Sequence, residues 1–237
     1  MSGGRWTNNS RGCVLVACVE AQLFDAALEI VKDYPELAVS EGSTILQILA
    51  RKPCSRQTRL NYMFKKFYAD VSNVIYLVSR GHGGYVDEEN QAIELLKKIW
   101  ENIVKLPKAK VDEILRGPAD QLVNDKYPSR VLFVAAEMGN TAFIVELIRQ
   151  YPERVLELND NKQTIFHVAI SHRHVGVYCL LHQIGSIKAS IINLDDENEN
   201  NMLHHVGIFK KKETSRQYVE IKGPVHEMNE ELAWFQS

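Results

Sequence analysis

Several stretches of the chain place apolar residues at three- and four-residue spacing, which puts them on one face of an α-helix. Phe143, Ile144, Leu147 and Ile148 share a face in residues 141–150, and Tyr151-Pro152 ends that stretch because proline cannot continue a helix. Residues 59–79 carry Leu60, Met63, Phe64, Phe67, Val71, Val74, Ile75 and Val78 at helical spacing, up to the glycines of 81–84. A further helix is expected from Asp87 as its N-cap, with Ala92, Leu96, Ile99, Trp100 and Ile103 on one face, stopping before Pro107. A shorter one follows over 109–116, closed by Gly117-Pro118. Near the end, Val225, Met228, Leu232 and Phe235 fit a last amphipathic helix able to cap a helical stack.

The chain also resembles itself. Residues 22–36 (QLFDAALEIVKDYPE) overlay 139–153 (GNTAFIVELIRQYPE) without a gap. A short signature of the form T-x-L-H-x-A stands at Thr44 (TILQIL), Thr164 (TIFHVA) and Asn201 (NMLHHV), with degenerate copies at Cys13 (CVLVAC) and Arg130 (RVLFVA). Its third positions, Leu15, Leu46, Leu132, Phe166 and Leu203, are 31, 86, 34 and 37 residues apart. All but one interval lies near the period of about 33 known for ankyrin repeats, and the long one holds an insertion. Such helix pairs cannot bury their apolar faces alone and must stack on their neighbours. Thr164 is placed to cap the first helix of its pair, Phe166 to point into the stack, and Ala169 to let helices approach. Gly139 suits a left-handed helix end, whereas Gln22 and Arg173 stand where the pattern prefers glycine. Polar segments 159–163 and 195–200 read as tight turns at the tips of the array.

The segments 41–53, 132–140, 164–174 and 200–204 together resemble the plant family of ankyrin-repeat proteins that carry a C-terminal PGG membrane domain, and residues 227–235 resemble the segment before that domain. The resemblance implies an all-α ankyrin-repeat solenoid, helix-turn-helix repeats with short hairpin connections interrupted by a helical insert. It further implies a protein-protein interaction module in plant defence or stress signalling, and a structural hydrogen bond for His167 and His204 at the motif's histidine position. The expected division is a flexible N-terminus (1–11), repeats one and two (12–52), a helical insert (53–127) that replaces the outer helix of repeat two, repeats three to five (128–209), and a linker with a capping helix (210–237).

Composition narrows the partners. With 28 Lys+Arg against 30 Asp+Glu there is no general basic field for a nucleic acid. The four cysteines, Cys13, Cys18, Cys54 and Cys179, form no CxxC pair and read as reduced thiols. No secretion signal, myristoylation glycine or apolar run of spanning length is seen in these residues, so the expected location is the cytoplasm, with attachment to the plasma membrane through a partner. Lys210, Lys211, Lys212, Arg216 and Lys222 read as a solvated loop.

No catalytic constellation stands out. Ser40, Ser43 and Ser171 lack a G-x-S-x-G context, 81–84 lacks the Walker Lys-Ser/Thr, and the acidic run 195–199 lacks the calcium-loop pattern. His172 and His174 are two apart, not the four that align two ligands on a helix face, so no metal and no cofactor is expected. The expected activity is binding of a protein, with no small-molecule substrate, through the face of the first helices and the hairpin tips: Asn161, Lys162, His172, Arg173, Asn198 and Asn200. The alternative is a soluble regulator or decoy of membrane-tethered ankyrin relatives that binds through the end of the array.

Overall fold

The computed structural model describes residues 8–52, 85–117, 129–181 and 184–207. The protein is all-α: the described residues hold α-helices and one 3₁₀ turn, and no strand. The helices are α1 (Asn8–Glu20), α2 (Phe24–Asp33), α3 (Leu37–Ser40), α4 (Gly42–Arg51), α5 (Tyr85–Ile103), α6 (Lys108–Arg116), α7 (Arg130–Met138), α8 (Thr141–Gln150), α9 (Ile165–Ser171), α10 (Val175–Leu180), α11 (Ile187–Ile192) and α12 (Met202–Gly207), with the 3₁₀ turn at Pro152–Leu156. The candidate helix at 59–79, the glycines of 81–84, the basic residues 210–222 and the apolar pattern at 225–235 lie outside the described residues.

Packing arranges the helices in two rows. One row runs α1, α4, α7, α9, α12, each in contact with the next, and the other runs α2, α5, α8, α10. The core between them is mainly apolar, with Leu15, Phe24, Leu46, Trp100, Leu132, Phe143 and Phe166 among its buried members. Helix α5, drawn from the segment between the second and third signature copies, fills the place between α2 and α8 and buries Ala92, Leu95, Leu96, Ile99, Trp100 and Ile103.

Two differences from the sequence expectations lie at helix starts. Helix α1 begins at Asn8, inside the stretch 1–11 expected to be a flexible end. Helix α5 begins at Tyr85, so Asp87 lies in its first turn and is not its N-cap. Thr44, the first residue of its signature copy, lies inside α4, which starts at Gly42.

The same turn joins first to second helix in three places. Gln22, Gly139 and Arg173 have φ of 61°, 72° and 60°, and the following residues Leu23, Asn140 and His174 donate backbone N–H bonds to Cys18, Ala135 and Ala169. This left-handed ending satisfies carbonyls that the helix itself leaves unpaired. Glycine is further required at 139 by space, since a Cβ there would sit 2.4 Å from the His174 ring. That ring donates from Nε2 to the Glu137 carbonyl at 2.7 Å. Asn140 then caps α8, accepting from the Phe143 N–H at 3.0 Å and donating to the Leu49 carbonyl at 2.9 Å.

Candidate functional site

The two polar turns have one geometry. Asn159 Oδ1 accepts from the N–H groups of Asn161 and Gln163, and Asp196 Oδ1, 37 residues on, accepts from those of Asn198 and Asn200. In each turn the ends exchange a backbone bond, Asn159 N to Gln163 O and Asp196 N to Asn200 O. In each, the fourth residue is left-handed, Lys162 at φ 56° and Glu199 at φ 60°. A side-chain carbonyl or carboxylate that accepts from the backbone two residues on is what makes Asn and Asp turn formers. The Glu197 N–H donates to the Asn161 carbonyl at 3.0 Å, which ties one tip to the next.

Behind the second turn lies a buried polar chain. Asp196 Oδ2 accepts from His205 Nε2 at 3.0 Å, and the other nitrogen of that ring, Nδ1, is hydrogen-bonded to the Ser171 hydroxyl at 2.9 Å. Burial opposes the charge on Asp196, but bonds from the Asn200 and Asn198 N–H groups, the Asn200 side chain and His205 outweigh it and hold the carboxyl down at about 2. The order serine, histidine, aspartate has the connectivity of a nucleophile, a base and an orienting group. The N–H groups that follow Ser171, those of His172 and Arg173, are already bonded to the Val168 and Ile170 carbonyls, so no free amide pair adjoins the hydroxyl to receive an oxyanion. The chain therefore reads as a strut between α9, the turn and α12.

His167 is built in similarly. Its Nδ1 meets the Thr164 hydroxyl at 2.8 Å, and its Nε2 donates to the Leu194 carbonyl at 3.2 Å. Thr164 and His167 close a capping box at the start of α9. Burial, and then the nearby His205, push its imidazole below the ordinary value. Among the described residues no group of three or more His, Cys, Asp or Glu is placed to hold a metal ion, and no described helix is long and apolar enough to cross a membrane.

Between α7 and α9, under the first turn, opens a pocket of about 160 Å³ lined by Phe133, Val134, Glu137, Asn159, Gln163, Val168, Ser171 and His172. Of the six residues expected to face a partner, His172 lines this pocket, half-buried, with its Nε2 4.0 Å from the Glu137 carboxylate and its ring stacked on His174. Asn161, Lys162 and Asn198 are exposed on the turns. Asn200 is half-buried and spends its backbone on the turn. Arg173 corrects the expectation of a solvent-facing charge: it is half-buried, and its guanidinium donates to the carbonyls of Ile170 at 3.2 Å, His205 at 3.4 Å and Val206 at 3.0 Å. A cation there neutralises carbonyls of the α12 end.

Sequence reasoning passed over Phe133, Val134, Glu137, Val168 and Ser171. The signal was present: Val134 and Val168 both occupy the open x position that follows the motif histidine's place, 34 residues apart. Among family models, curated proteins and solved structures, nothing matches this chain.

Proposed function

We propose that this chain is an ankyrin-repeat protein-protein interaction module, built like the plant proteins with a PGG membrane domain and working in defence or stress signalling. The observation that carries the reading is the pair of matching turns at 159–163 and 196–200, bonded tip to tip beside a pocket lined by both polar and apolar side chains. Repeated turns that use their backbones for each other leave the tip side chains of Asn161, Lys162 and Asn198 to a partner, and the pocket beside them offers Val134, Val168 and His172. The test is affinity capture from plant tissue with the wild type, Lys162→Glu and His172→Glu. A partner lost by both variants at unchanged melting temperature supports the module, and a partner held equally by all three defeats this surface.

A second reading, a regulator or decoy that stacks on membrane-tethered relatives, is favoured by Leu203. The four earlier residues at its motif position are 0% exposed, and Leu203 is 77% exposed. An apolar side chain left open at the last described pair is what array-end stacking would use. Leu203→Glu should then abolish association with a relative while Lys162→Glu leaves it intact. Any location at the plasma membrane follows from that association.

A further inference from the structure

We infer that the pocket between α7 and α9 receives a lysine or arginine side chain of the partner protein, an inference that rests on the interaction-module reading. Two features of the pocket agree on that chemistry. Its walls include Phe133, Val134 and Val168, apolar surface suited to the methylene stem of a long cationic side chain. Its rim carries one carboxylate, Glu137, about half exposed, and no lysine or arginine lines it. Glu137 is next to last in α7 and Ser171 last in α9, so both polar side chains stand at the same end of the two helices.

Acceptors complete the picture. The Ser171 hydroxyl, 2.9 Å from His205 Nδ1, lines the pocket and is an oxygen an incoming N–H can meet. The Gln163 side-chain oxygen, which accepts from Asn159 Nδ2 at 3.2 Å, is a second acceptor on the rim. A carboxylate on the partner would meet the like charge of Glu137, and a purely apolar side chain would leave Glu137 without a new partner. The stem along the valines with the charge at Glu137 is the arrangement that uses every wall.

The experiment is selection of short random peptides displayed on phage against the full chain, followed by affinity measurement on wild type, Glu137→Lys and Val134→Trp, with circular dichroism melts to verify that each variant is folded. The expected peptides carry a central lysine or arginine, lose about tenfold or more in affinity on Glu137→Lys, as removal of a charge-assisted bond implies, and lose the same on replacement of their own basic residue by glutamine. They are also blocked by Val134→Trp, which fills the pocket. Peptides blocked by Val134→Trp that contain no basic residue, or that bind Glu137→Lys as well as wild type, overturn the inference and leave the surface standing. Peptides indifferent to both substitutions, or no enriched peptides at all, overturn the surface and the inference together.

Discussion

Helices α9 and α12 start with the same device and end in opposite surroundings. At α9 the His167 Nδ1 accepts from the Thr164 backbone N–H at 3.3 Å, while at α12 the His204 Nδ1 accepts from that of Asn201 at 3.1 Å. Each capping side chain also accepts from the N–H of its histidine, Thr164 at 3.4 Å and Asn201 at 3.2 Å. Yet Phe166 and His167 are wholly buried, and Leu203 and His204 are exposed. The cap is written locally, in residues three apart, whereas burial depends on what stacks next. α9 has α7 on one side and α12 on the other, and α12 has α9.

That contrast gives its largest effect at the third motif position. Phe166→Ala should cost roughly 3 to 5 kcal/mol, as emptied aromatic sites in cores do, and Leu203→Ala about 0.5 kcal/mol or less. Urea denaturation of the two variants measures both, and equal losses would mean that Leu203 is covered in solution. The histidines should follow with a smaller gap: His167→Ala removes a buried bond to Leu194 and should cost about 1 to 3 kcal/mol, unchanged by chelators, while His204→Ala should cost a few tenths, on the order of other surface changes.

Acid sharpens the same comparison. The folded state holds the His167 proton more weakly than the unfolded chain, whose ordinary value is 6.5. Stability is therefore complete above that value and falls as pH drops below it, because the unfolded chain takes up the proton first. Asp196, at about 2 in the fold against an ordinary 3.8, adds a second loss confined to the interval from 3.8 down to about 2. Urea midpoints measured across this range should show two steps in the wild type and only the lower one in His167→Gln. One change should be a gain: Gln22→Gly relieves a left-handed residue and is expected to raise stability by about 0.5 to 1 kcal/mol, read as a higher melting temperature.

Much of this was legible in the sequence because it is local. Gly139 at φ 72°, the α8 limits, the Thr164 cap and the Tyr151-Pro152 stop all follow from residues within one turn of each other. The site was less legible because it is not. In the sequence Asp196 belongs to a polar turn, Ser171 is a serine without a catalytic context and His205 carries no signal of its own, and only stacking of α9 on α12 joins them. Arg173 misled for the same reason: its spacing marked a turn, but the carbonyls that absorb its charge arrive from residues 205 and 206. Even Arg154, in a segment with charged neighbours, is buried, with Asp112 of α6 and Glu157, just after its own 3₁₀ turn, as ion partners.

The bond from the Glu197 N–H to the Asn161 carbonyl joins neighbouring tips through peptide groups alone. Every amino acid except proline supplies that donor, and every one supplies that acceptor. Mutation can therefore rewrite the chemistry displayed at 161, 162, 197 and 198 while the scaffold beneath keeps its register. Selection for a new partner and selection for a folded chain would then act on different atoms of the same residues, and a lineage of such proteins can diversify at its tips without first having to become more stable.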